Sequence, residues 1–129
     1  MHTEIMLNHP TFSFNPRMAD AALYVYIGLA QADGPIEPSE KAAIYRKLAG
    51  LDFYAPSEIN KMMEKVLQEF AVCSPPQVWE NIEKACLQLC HTEGDKQGLL
   101  SDLEDIMECD GRVKELEMNM FRRIHTVLG

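Results

Sequence analysis

Apolar residues recur at helical spacing along nearly the whole chain of 129 residues, and no segment shows the alternation of a half-buried strand. Helix start and stop signals divide this pattern into six segments. The clearest start is a Ser-x-x-Gln capping-box pattern at Ser74 and Gln77. That fourth segment is expected to end near Gly94, with Asp95 capping the fifth. The pattern predicts an all-α fold, a compact bundle of about six to seven helices.

The first helical segment is predicted to be the central one. It begins with Asn15 as a cap and Pro16 at the first helical position, and it is apolar on nearly all sides. Gly28 lies inside this segment, where glycine costs about 1 kcal/mol relative to alanine. We therefore expect another helix to approach closely at Gly28.

A short motif occurs twice, seventy-seven residues apart, each time between two predicted helices. The sequence QADGPIEPSE at 31–40 is matched by ECDGRVKELE at 108–117, and both contain Asp-Gly-x-Ile/Val-x-x-x-Glu. The similarity extends over LAQADGPIEPSEKAAIYRKL and IMECDGRVKELEMNMFRRIH. We expect two helical hairpins related by a pseudo-twofold axis, each turning at an Asp-Gly motif.

Turn chemistry alone accounts for every residue of the motif. Each copy supplies a glycine for the left-handed conformation, an aspartate that accepts turn amides, an aliphatic plug for the hairpin core and a first-turn glutamate that caps the next helix. In the two copies these are Gly34 and Gly111, Asp33 and Asp110, Ile36 and Val113, and Glu40 and Glu117. On this interpretation the motif is architectural.

The same motif also matches the second half of an EF-hand calcium loop. The first ligand position would fall on Leu29 or Ile106, so a conventional EF-hand is not expected. The second copy is the better candidate for weak binding of a hard divalent cation, because Glu108 stands where the first copy has Gln31. If the pseudo-twofold axis brings both turns together, their carboxylates would share one cation. The candidate metal ligands are Asp33, Glu40, Glu108, Asp110 and Glu117.

The formal net charge of −8 disfavours a nucleic-acid backbone or an anionic membrane as the main partner. Residues 93–117 contain nine acidic and three basic residues. This stretch is either a solvated helix face or an acidic binding face. We expect a protein partner of unknown identity, with a homodimer as an alternative.

The first residues, MHTEIMLNHPTFSF, lack the pattern of a secretory signal, and the longest apolar run is shorter than a membrane span. We therefore expect a cytoplasmic protein without stable membrane insertion, with an N-terminal arm at 1–14 and a single domain at 15–129. The four cysteines are expected to be free thiols in apolar helical patterns. Cys86, Cys90 and His91 lack the further ligands of a zinc site.

No arrangement typical of nucleophilic catalysis and no glycine-rich phosphate loop is evident in the sequence. We therefore predict no catalytic residue and do not expect an enzyme. Because twenty acidic residues offer many carboxylate pairs, a small metal-dependent hydrolase is kept as a remote alternative.

LAQADGPIEPSE and IMECDGRVKELE, in an all-α chain of this size, resemble the tellurite-resistance TerB-like family over about 17–128. The resemblance implies a TerB-like helical domain, related to a domain of some membrane-bound DnaJ-like co-chaperones, in a stress or metal-response system. It also implies an acidic face that binds metal ions, with ligands at Asp33, Glu40, Asp110 and Glu117. The chain departs from the pattern at Pro35, Pro38 and Cys109.

Two functions follow as expectations. The first is a non-enzymatic module that binds a protein partner and, weakly, a divalent cation at the acidic turns. The second is a structural or oligomeric interaction domain in which both motifs are hairpin turns without metal.

Overall fold

The computed structural model describes residues 19–32, 34–49, 55–109, 111 and 114–129. Within these ranges the chain forms six α-helices and no strand, which confirms the predicted all-α fold. The helices are α1 Ala19–Ala30, α2 Pro38–Ala49, α3 Pro56–Val72, α4 Pro75–Leu89, α5 Glu93–Glu108 and α6 Glu115–Leu128. The predicted arm at 1–14 and the predicted start of the first helix lie outside the described residues.

Helix α1 is the centre of the bundle. It contacts each of the other five helices. Most of its side chains are fully buried, including Leu23, Ile27 and Leu29. A helix that is apolar on all sides gains most when neighbours surround it, and this explains why the others pack around α1.

Helices α1 and α4 pack closely against each other at Gly28. A Cβ atom built on Gly28 would lie 2.6 Å from Cδ1 of Ile82, a distance that real Cβ contacts do not reach. The close approach expected at Gly28 is therefore confirmed. It lets the buried Ile82 side chain pack directly against the α1 backbone.

The N-terminus of α4 forms only half of the predicted capping box. The hydroxyl of Ser74 accepts a hydrogen bond from the backbone N–H of Gln77, at 3.4 Å. The Gln77 side chain, however, donates to Glu80 and Asn81 instead of returning to the cap. Ser74 therefore caps α4 without the second hydrogen bond, from its own backbone N–H to the Gln77 side chain, that a full capping box contains.

The junction between α4 and α5 lies earlier than predicted. Helix α4 ends at Leu89, not near Gly94, and α5 is capped by Thr92, not Asp95. Thr92 Oγ1 accepts from the Asp95 N–H at 3.1 Å, and Asp95 Oδ2 accepts from the Thr92 N–H at 3.2 Å. Together these two bonds form a complete capping box. It satisfies two exposed backbone donors, and this explains why α5 begins after Thr92.

Candidate functional site at the two Asp-Gly turns

The two Asp-Gly motifs lie in the turns that join α1 to α2 and α5 to α6. We call residues 31–40 the first turn region and residues 108–117 the second turn region. Gly34 has a φ angle of 135° and Gly111 one of 80°. A Cβ atom on either glycine would meet nothing within 4 Å. Backbone conformation, not lack of space, therefore favours glycine at both positions.

The backbone hydrogen bonds of the first turn region are repeated in the second. The Gly34 N–H donates to the Gln31 carbonyl at 3.1 Å, and the Gly111 N–H donates to the Glu108 carbonyl at 3.0 Å. The Ala32 N–H donates to the Leu29 carbonyl at 3.1 Å, and in the second copy the Cys109 N–H donates to the Ile106 carbonyl at 3.5 Å. The sequence repeat is therefore accompanied by a repeat of these backbone hydrogen bonds.

An ion pair joins the two turn regions. Nζ of Lys114 lies 3.0 Å from Oε2 of Glu37. These residues occupy equivalent positions, because Glu37 follows Asp33 by four residues and Lys114 follows Asp110 by four. Direct contact between equivalent positions is what a twofold relation produces near its axis. The two turns are thus neighbours in the fold.

Both motif glutamates are buried in the first turn of a helix. Glu40 in α2 and Glu117 in α6 are each 1% exposed. Oε1 of Glu40 accepts a hydrogen bond from the Glu37 N–H at 3.0 Å, so this carboxylate caps α2. Glu117 has the same spacing from Lys114, the N-cap of α6. The two carboxylates therefore occupy equivalent buried positions, one in each copy.

The remaining predicted site residues differ in their surroundings. Glu108 is exposed at the last position of α5. Ile36 is half-buried and packs against the core. Asp33, Asp110 and Val113 lie outside the described residues. In the part of the chain that is described, no three side chains of His, Cys, Asp or Glu are grouped closely enough to hold a metal ion.

A buried polar network lies beside the turns and was missed by sequence reasoning. Asp102 in α5 is 1% exposed and accepts a hydrogen bond from the Tyr26 hydroxyl at 2.9 Å. Nζ of Lys47 lies 3.0 Å from Asp102 Oδ1 and 2.6 Å from Asp105 Oδ2. The network therefore connects α1, α2 and α5. Its sequence signal was the position of Asp102 on the apolar stripe of α5, three residues after Leu99.

Burial sets the protonation behaviour of this network. It raises the pKa of Asp102, although Lys47 and Tyr26 both oppose that shift. It also raises the pKa of Tyr26 well above its usual value, helped by the charge of Asp102. Burial alone would lower the pKa of Lys47, but the bonds to Asp105 and Asp102 outweigh it and raise this pKa overall. The folded chain therefore holds the protons of Tyr26 and Lys47 strongly.

The cysteine and histidine cluster on α4 has the features of packing residues. Cys86 is fully buried, and burial raises its pKa to about 12. Burial also raises the pKa of Cys90 to about 11. His91 is exposed, with Nε2 2.9 Å from the Gln88 carbonyl oxygen. These thiols are poor nucleophiles, because the thiolate form is disfavoured.

The architecture described above is an all-helical bundle with an internal repeat and two neighbouring acidic turns. A family model with the description "Tellurite resistance protein TerB" matches residues 19–129. The match spans every described helix, and the chain belongs to the TerB family. The expected family is thereby confirmed. No curated protein and no solved structure matches the chain significantly.

No helix within the described ranges is both long enough and apolar enough to cross a membrane.

Proposed function

We propose that this chain is a non-enzymatic, cytoplasmic TerB module of a stress or metal-response system, which binds a protein partner and weakly binds a divalent cation at its paired Asp-Gly turns. The observation that supports this proposal most directly is the ion pair between Glu37 and Lys114. It brings the two turn regions together, so that carboxylates from both copies can serve one site.

The donor set suits a hard cation. Glu40 and Glu117 offer carboxylate oxygens from equivalent buried positions, and the sequence places Asp33 and Asp110 directly before the two turn glycines. Carboxylates held close together repel one another unless a cation joins them, and Ca²⁺ or Mg²⁺ prefers oxygen ligands. In the proposed site these four residues supply the oxygens and Glu108 adds charge at the surface.

The acidic character of α5 and the second turn region supports binding of a protein partner. Glu104 and Glu108 are exposed on α5, and Glu115 is exposed at the start of α6. Such a surface attracts a basic protein face and repels nucleic acid.

The alternative without metal is supported by one contact. Oε1 of Glu40 caps α2 through the Glu37 N–H, which gives this buried carboxylate a structural role. A metal-dependent hydrolase has less support. Three pockets in the described part of the chain are each lined by at most one described carboxylate, Glu69 in one and Asp105 in another.

Calorimetry combined with thermal unfolding tests the cation site. We expect millimolar Ca²⁺ or Mg²⁺ to release or absorb heat and to raise the unfolding midpoint, because a ligand that binds only the folded state stabilises it. The double variant Asp110→Asn with Glu117→Gln should lose both effects while remaining folded. A matched control, Glu64→Gln with Glu69→Gln, removes two exposed charges on α3, outside both turn regions, and should retain both effects.

The absence of any response to divalent cations would contradict the cation site. If Ca²⁺, Mg²⁺, Mn²⁺ and Zn²⁺ at millimolar concentration all give no heat and no change in the unfolding midpoint, the turns are architectural and the cation claim is wrong.

A further inference from the structure

A groove of about 430 Å³ lies between α2 and α3, and its lining includes Pro38 of the first turn region. On α2 it is lined by Lys41, Ala42, Tyr45 and Arg46, whose helical spacing places them on one face. Met63 lines it from α3. The opposite face of α2 carries Lys47, which is bonded to α5. Helix α2 is therefore fixed from behind, and the groove is already formed.

The floor and rim of this groove differ in chemistry. Met63 is buried and Tyr45 half-buried, so the floor is mainly apolar. Lys41 and Arg46 are exposed at the rim, and neither forms an ion pair with any side chain in the described part of the chain. No carboxylate is among the lining residues that the structure describes, although the chain has 20 acidic and 12 basic residues. The groove is a basic and apolar patch on an acidic protein.

We infer that this groove docks an acidic amphipathic segment of the partner protein. This inference rests on the proposed binding of a protein partner. It assigns to that partner a second surface, in addition to the acidic surface of α5 and the second turn region. An apolar side chain of the partner would cover Ala42, Tyr45 and Met63, while its acidic residues would pair with Lys41 and Arg46. Apolar anchors in a groove provide affinity, and the charged rim selects an acidic partner over a basic one.

Residues 1–18 of this chain fit the groove less well by charge, because Glu4 is their sole acidic residue. A second copy could present its acidic residues 93–117, and a dimer in light scattering would identify that occupant.

A labelled peptide tests the groove. The probe is a fluorescein-labelled helical peptide with leucines on one face and flanking glutamates, compared with the same peptide carrying lysines in place of glutamates. Fluorescence anisotropy should show binding of the acidic peptide only. The double variant Lys41→Glu with Arg46→Glu should weaken binding by about tenfold or more, because it replaces two attractions with two repulsions.

A matched control separates the groove from general charge. Lys61→Glu with Arg122→Glu makes the same change in net charge at exposed positions that do not line the groove, and it should alter binding by less than about twofold. Equal weakening by both double variants, or no binding of the acidic peptide to the wild type, overturns the inference. So does displacement of the acidic peptide by a peptide of residues 1–18, or a dimer in light scattering that Lys41→Glu with Arg46→Glu dissociates.

The proposals for the groove and for the cation site can be contradicted independently of each other. Asp110→Asn with Glu117→Gln should retain binding of the acidic peptide, and Lys41→Glu with Arg46→Glu should retain cation heat. Cation heat without binding of the acidic peptide overturns the groove alone. Binding of the acidic peptide without cation heat supports the groove and contradicts only the cation site.

Discussion

At the scale of single residues, Glu40 is a buried carboxylate with a capping role in its own helix. Its Oε1 atom caps α2, and the side chain is 1% exposed. Glu58 makes the same contact in α3, where its Oε1 accepts from the Ala55 N–H at 2.7 Å. A glutamate that reaches back three residues is therefore a capping device in this fold, inside the repeat and outside it.

Two substitutions of Glu40 distinguish the stability contributed by its capping hydrogen bond from that contributed by its charge. Glu40→Ala should lower the free energy of unfolding by about 1 kcal/mol or more, because the cap contact is lost in a buried position. Glu40→Gln should cost less, since the amide oxygen can still accept from the Glu37 N–H. Urea unfolding measures both, with Glu64→Ala at an exposed position as the control. Equal losses for Gln and Ala would show that the charge, not the hydrogen bond, stabilises the folded chain.

The network of Tyr26, Lys47 and Asp102 predicts alkaline sensitivity. The pKa values of Tyr26 and Lys47 are both raised in the folded chain, so the unfolded chain releases these protons first as pH rises. Their stabilising contribution is fully present below about pH 10 and is lost above it, as pH approaches the raised values. We expect the free energy of unfolding to fall steadily above that pH.

The variant Tyr26→Phe tests whether Tyr26 contributes to this loss of stability at high pH. It removes the buried hydroxyl and its bond to Asp102, and we expect it to cost about 1 kcal/mol or more near pH 8. Because one of the groups whose pKa is raised in the folded chain is then gone, the decrease between pH 8 and pH 11 should be smaller than in the wild type. Urea unfolding at both pH values, with reductant present, measures it. Parallel pH dependences in the two proteins would contradict the assignment to Tyr26.

Residues with local roles could be predicted from the sequence, and residues with distant partners could not. The positive φ angles at Gly34 and Gly111 follow from turn chemistry within a few residues. Asp102 lies within an acidic stretch and looks like a solvated residue, but its partners are 55 and 76 positions away, at Lys47 and Tyr26. Only tertiary packing brings such groups together.

At the scale of helices, periodicity predicts each element, and capping decides where it ends. The all-round apolar pattern of α1 correctly indicated a central position. The α4–α5 boundary was wrong because Thr92 and Asp95 are both acceptable caps, and only their reciprocal bonds show which one begins α5. Local propensity does not distinguish such neighbours.

The contact between α1 and α4 gives a packing prediction. Gly28→Ala adds helix propensity worth about 1 kcal/mol, but the new methyl group collides with the buried Ile82 side chain, and overpacking costs about 1–3 kcal/mol. We expect a net loss of stability of about 1 kcal/mol. Thermal unfolding measures this loss.

The variant Ile82→Val identifies the clash, because it removes the Cδ1 atom that lies nearest to the added methyl group. In combination with Gly28→Ala it should cost less than the sum of the two single changes, which a double-mutant cycle would detect. Greater stability of Gly28→Ala than of the wild type would show that α1 and α4 separate readily.

At the scale of the whole molecule, the internal repeat determines where the two turns lie. The offset of seventy-seven residues was visible in the sequence, but the proximity of the turns depends on how the two hairpins pack. The Glu37–Lys114 pair shows this proximity by joining equivalent positions. The proposed cation site therefore takes ligands from both copies of the repeat.

Electron paramagnetic resonance of Mn²⁺ tests this claim, because it counts free ion directly during a titration. We expect one ion to bind per chain. We also expect weaker binding in Glu40→Gln and in Glu117→Gln, with the double variant less impaired than the product of the two single effects, because both residues serve one site. Two independent ions per chain, or unchanged binding in either single variant, would contradict a shared site.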